Sequence, residues 1–189
     1  MSTPTPRTSH APSISAPSAR DLLGSALYEE AVGYAVARTG CAPGRAESQV
    51  RECLRYLYLV SRHRDRLAGL FLPVEQDIDE IWHFLILQTH EYQRLCEQRL
   101  PGRQFIHHRS IAYGVYQERH ALDRGRERSA EEALRWIPLY TAAFGPFDAD
   151  AMPHWTVVRF LHEQLGMSLA EISALPSHTP GLRQPEPAA

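Results

Sequence analysis

Asp79 and His83 stand four residues apart in the run DIDEIWHFLILQTHEYQRLCEQRLPGRQFIHH, residues 77 to 108, which holds four of the chain's ten histidines. On a helix, side chains at i and i+4 lie about 6 Å apart at Cβ, so this carboxylate and imidazole can share a metal ion or hydrogen-bond each other. His90 falls on the same stripe, within an arc of roughly 40°, but sits about 10.5 Å beyond His83 along the axis, so the two cannot ligate one ion. Further ligands must come from another element. His107 and His108 are the source the sequence offers, because neighbours in an extended segment point to opposite sides and at least one can turn back. A carboxylate with two or three imidazoles suits zinc, iron, manganese or copper, and the spacing does not select among them.

The same residues admit two other readings. In one, Asp79 and His83 make a local bond on the helix surface while His107 or His108 anchors the returning segment. In the other, Cys96, a histidine and Asp79 form a thiol nucleophile, its base and an orienter. Against this, Cys96 shares the apolar face with Ile78, Trp82, Leu85 and Tyr92, where burial raises a thiol's pKa and makes it inert. Trp82 and Tyr92 read as core or interface anchors.

These residues need a helix to position them, and the pattern predicts one from about Val74 to Arg99, entered through Pro73 and ended by Pro101 and Gly102. Residues 102 to 110 read as a short extended segment. Upstream, apolar spacing predicts helices over Ser18–Arg38, stopped by Gly40, and over Glu47–Ser61, with Val50, Cys53, Leu54, Leu57 and Val60 on one stripe. A charged link, 63 to 72, joins them to the central helix. Downstream, residues 109 to 128 read as a charged loop. Capping boxes at Ser129–Glu132 and Ser168–Glu171 and an apolar pattern over Trp155–Leu165 predict further helices, the first carrying Pro138. The fold expected is all-α: one compact domain over 18–175 with five or six helices. The tails, 1–17 and 176–189, are too rich in Pro, Ser and Thr to fold.

Lys and Arg number 20 against 22 Asp and Glu, giving a net charge of −2, so no global field draws the chain to nucleic acid or an anionic membrane. No apolar run approaches the roughly 20 residues that span a bilayer. With no secretory signal pattern and three widely spaced cysteines, the chain reads as cytoplasmic with reduced thiols. The segment VVRFLHEQLGMSLAEISAL has a helix-turn-helix rhythm, which leaves a DNA-binding regulator as one alternative, but its second helix has no Arg or Lys to contact bases or phosphates. Another alternative is a non-catalytic protein-interaction module. The partner, protein or small molecule, is not written in the sequence.

The run Asp79-x-x-Trp82-His83, then Thr89-x-x-Tyr92-x-x-x-Cys96, then Phe105-x-His107-His108, resembles bacterial members of the glycine-rich domain-containing protein-like family. The resemblance spans about residues 50 to 155, with looser landmarks at Tyr140, Phe144-Gly145 and Trp155. It implies a compact, mostly helical domain and marks Asp79, Trp82, His83, Thr89, Tyr92, Cys96, His107 and His108 as positions the family keeps. It brings no activity with it. The glycine-rich tails of plant relatives have no counterpart among the 11 glycines here.

Overall fold

In the computed structural model, which describes residues 16–67, 72, 74–108 and 135–176, the chain opens on a reciprocal cap. The Ser18 hydroxyl accepts the Asp21 amide and the Asp21 carboxylate accepts the Ser18 amide, starting α1, Ala19–Leu23. Gly24, at φ +79°, then ends α1 and leads into α2, Ser25–Thr39. The single helix expected over 18–38 is therefore two, divided at a backbone conformation that favours glycine. Gly40 closes α2 in the left-handed conformation, as its position predicted.

Pro43 in the first turn lets α3, Pro43–Arg62, begin four residues before the expected start. Its buried stripe of Val50, Cys53, Leu54 and Leu57 matches the sequence pattern, but Ser48, Gln49 and Glu52 are buried too. The charged link contains a single turn, α4, Arg64–Leu67.

The central helix departs most from expectation. Val74 does not begin it but pairs with Trp155 in an antiparallel β-bridge, and α5 covers Gln76–Leu87. At Gln88 (φ −82°, ψ 60°) the amide bonds back only three residues, to Leu85. The axis restarts as α6, Thr89–Arg94, followed by a π-helical turn, Leu95–Arg99. A glycine is required at 102, where a Cβ would meet the Ser61 carbonyl at 2.4 Å and the amide donates to Ser61 Oγ at 2.9 Å. This close approach ties the end of α3 to the chain reversal, from which residues 105 to 108 return without regular structure.

Residues 135 to 144 form α7, which continues through Pro138. A 3-10 turn, Met152–His154, leads to α8, Thr156–Glu163, preceded by Trp155 in an extended conformation. The expected Ser168–Glu171 box opens α9, Leu169–Ser173. The charged segment 109–128, the 129–132 box, Pro73 and most of both tails lie outside the described residues. Among those described there are nine α-helices and no strand, an all-α fold. The finer division than the five or six helices expected comes from the breaks at Gly24 and Gln88 and the short turn α4.

One part of the core packs α1, α2, α3, α5 and α6 together, and the other gathers Trp136, Tyr140, Phe147, Trp155 and Val158 around α7 and α8. The two meet at Tyr56, Val60, Val74 and Phe144, each of which packs against both. None of the described helices is long and apolar enough to cross a membrane.

Candidate metal centre

α5 carries Asp79 and His83 on consecutive turns at its surface. His83 Nδ1 lies 2.7 Å from the Asp79 carbonyl and 3.3 Å from Asp79 Oδ2. When the Nδ1 proton is given to that carbonyl, the ring is held against the helix and Nε2 keeps its lone pair for another partner. From the returning segment, His108 places Nε2 2.9 Å from Asp79 Oδ1, and its ring lies 4.3 Å from that of His83. One ligand atom from each of Asp79, His83 and His108 thus lies within 4.8 Å of the other two, close enough to hold a metal ion. Two imidazoles and a carboxylate are a donor set that transition metals accept, and three protein ligands leave coordination positions free. Asp79 and His83 are each close to half exposed, whereas His108 is mostly covered.

His107 does not join this group. It is exposed, and its ring packs against Phe105 at 5.0 Å. Alternation along an extended segment lets one of the pair turn inward, and His108 is that one. His90 is separated twice over, by its distance along the chain and by the break at Gln88, which puts it on α6 rather than on the stripe of α5.

Trp82 and Tyr92 are core residues, as expected, and they also position His108. Trp82 Nε1 donates to Tyr92 Oη at 2.9 Å, and Tyr92 in turn donates to the Ile106 carbonyl at 2.7 Å. The returning backbone is thereby fixed two residues before His108, whose ring meets Trp82 edge-on at 4.4 Å. Burial raises the pKa of the Tyr92 phenol, which keeps it a donor. Burial likewise pushes Tyr56 up to about 12, with the charges of Cys53 and Asp79 acting in the same direction. Cys96 is buried beside Tyr92 and its thiol is raised by desolvation, so no reactive thiolate faces the cluster.

Two polar groups near this helix were not anticipated from the sequence. Asp77 Oδ2 accepts from His154 Nδ1 at 2.8 Å and from Gln49 Nε2 at 3.2 Å. Burial alone would raise the Asp77 carboxyl, but His154 and Gln49 outweigh it and hold the group below the usual carboxylate range. With the Val74–Trp155 bridge and the amide of Glu75 on the His154 carbonyl, this pair joins the start of α5 to the C-terminal helices.

The other group centres on Glu52, fully buried in α3. Its Oε1 accepts from Arg51 Nε and Arg55 Nη1, both at 2.9 Å, and its Oε2 from Tyr140 Oη at 2.8 Å and Trp155 Nε1 at 3.0 Å. Gln49 and Glu52 had a signal in the sequence: they lie beside Val50 and Cys53 on the apolar stripe, where a polar residue needs a buried partner. The distant partners of Glu52, Tyr140 and Trp155, 88 and 103 residues away, had none. In comparisons with protein-family models, curated proteins and solved structures, the chain matches none.

Proposed function

We propose that this chain is a transition-metal-binding protein whose protein ligands are Asp79, His83 and His108. The observation that carries the reading is the convergence of these three ligand atoms from two separate elements within 4.8 Å, supported by the Trp82–Tyr92–Ile106 relay that holds the distant ligand in place. The part-exposed rim gives water or a small substrate access to the free positions, which is the arrangement of a catalytic rather than a purely structural metal site. Zinc, iron, manganese and copper all fit the donor set. We take the chain as a relative of the glycine-rich domain-containing protein-like family on the pattern of residues 79 to 108, a kinship that adds no activity to this reading.

The test is elemental analysis of the full chain purified without chelator, beside His108→Ala. About one metal per chain, lost in the variant while its helical signal is kept, supports the site. A metal-free protein that takes up none of the four ions on dialysis removes it.

A second reading draws on the hydrogen bonds already present: His83 on the Asp79 carbonyl and His108 on the Asp79 carboxylate also describe a latch that closes the returning segment within a protein-interaction module. Loss of folding, rather than of metal, in His83→Ala favours the latch. The DNA-binding alternative draws little support from α9. Its Ser168 and Glu171 cap one another, and Ser173 bonds to the Leu169 carbonyl and the Phe147 amide.

A further inference from the structure

We propose a second binding site, for a small organic anion with an apolar body, on the opposite face of α3 from the metal centre. A cavity of about 330 Å³ opens between α1, α2, α3 and the end of α7, a size within the range of small-molecule sites. On α3, Cys53 and Tyr56 face the metal-centre side, while Arg51, Leu54, Arg55 and Tyr58 face the cavity.

Its chemistry is divided. Leu22, Leu54, Ala143 and Phe144 provide an apolar lining, and Arg20, Arg51 and Arg55 bring three guanidinium groups against one lining carboxylate, Glu47. Two of these arginines are held in place before any ligand arrives. Arg51 is fixed by Glu52 and by Ser48 Oγ at 3.1 Å. Arg55 is fixed by Glu52 and Tyr140 through Nη1 alone and lies over the Phe144 ring at 5.2 Å. Among the described residues, Arg55 therefore keeps the donors on Nε and Nη2 unspent. Glu52 is shared by both, and Asp148 lies a further 3.9 Å from Arg51 Nη2, so the cation with donors to spare beneath the cavity is Arg55. Arg20, half exposed, pairs with Glu29 and lies 4.4 Å over Tyr28 at the rim.

A guanidinium fork matches a carboxylate in geometry, and its immobilisation lowers the ordering cost of binding. An apolar lining beside it asks for a hydrocarbon or aromatic body on the same ligand. A neutral molecule would leave the spare Arg55 donors without an anionic partner, and a simple inorganic anion would leave the apolar wall wet.

The test uses the full chain, stripped of metal so that the result is independent of the metal centre, titrated by calorimetry and amide NMR with three probes. Benzoate has charge and body, benzyl alcohol the body alone, and acetate the charge alone. Benzoate is expected to bind one per chain at physiological ionic strength, with shifts centred on α1 and on residues 51–58. Benzyl alcohol and acetate should each bind at least about tenfold more weakly. Arg20→Gln should weaken benzoate about tenfold, the loss of one charge-assisted bond, and Ala143→Phe, which fills the cavity, should abolish binding while leaving the fold's helical signal intact. Acetate binding as tightly as benzoate, or benzoate shifts located elsewhere or absent at millimolar concentration, overturns the proposal. If Ala143→Phe does not fold, the Arg20→Gln result decides alone.

Discussion

Glu52 and Asp79 are both helix carboxylates surrounded by long-range partners, yet they differ in how completely they are spent. Glu52 is sealed from solvent and has all four acceptor positions filled by Arg51, Arg55, Tyr140 and Trp155. Asp79 is partly open to solvent, and among the described residues its carboxylate meets two imidazoles, those of His83 and His108. A buried charge must be fully compensated to be tolerated, and once compensated it has nothing left for a ligand. A part-exposed carboxylate survives with water as its remaining partner and can exchange that water for a metal. Glu52 therefore joins α3 to α7 and Trp155, whereas Asp79 keeps the capacity that the proposed metal site requires.

Removing each carboxylate should break the comparison cleanly. Glu52→Ala leaves two part-buried guanidinium groups, a phenol and an indole without their acceptor, and is expected to cost about 3–5 kcal/mol in urea denaturation. Metal uptake by the fraction that remains folded should be unchanged. Asp79→Ala should do the reverse. Its stability should stay within about 1 kcal/mol of the parent, as for exposed ion pairs. Metal affinity should fall by more than about 100-fold, since even partners outside the ligand shell cost about 10–100-fold. A variant of Asp79 as unstable as Glu52→Ala would make both carboxylates structural.

Tyr92→Phe sits between the two. It keeps the ring but removes the hydroxyl that accepts from Trp82 and donates to Ile106. Leaving those buried groups unpaired is expected to cost about 1–3 kcal/mol, and loosening the segment that holds His108 should lower metal affinity about 10–100-fold. A stability loss with unchanged metal affinity would show that the relay supports the core alone.

The local half of this site was legible and the tertiary half was not. The i, i+4 spacing brought Asp79 to His83, the period of the apolar residues buried Trp82, Tyr92 and Cys96, and glycines or capping boxes marked several helix ends. Gln88 carried no such mark: a glutamine is an ordinary helix residue, and nothing in its local sequence signals the break. The sequence could nominate His107 and His108 together, but choosing between them required the Trp82–Tyr92–Ile106 bonds. The same holds for Glu52, whose Oε2 partners, Tyr140 and Trp155, lie 88 and 103 positions away.

Asp77, mostly buried with Oδ2 on His154 and Gln49, gives a pH test of a carboxylate between these two cases. Its folded pKa is depressed, so its contribution to stability is present above the unfolded aspartate pKa of about 3.9 and is lost as pH falls through the lower folded value. Asp77→Asn cannot titrate and should flatten the loss of stability below about pH 4, measured by urea denaturation across pH. Parallel curves for parent and variant would mean that another carboxylate carries the acid sensitivity.

The smallest effect is expected from the residue most like a ligand in sequence. His107 adjoins His108 and is equally able to bind a metal by chemistry, but it is exposed and, among the described residues, its ring packs on Phe105. His107→Ala should therefore leave stability within about 0.5 kcal/mol, as for surface substitutions, and metal stoichiometry and affinity unchanged. His108→Ala, one residue on, should lose the metal, because its Nε2 reaches Asp79 at 2.9 Å. Measured side by side, the two variants separate a site defined by three converging atoms from one defined by histidine content. Equal losses would mean that the segment turns over and offers either ring, and the fixed backbone at Ile106 would then have to yield.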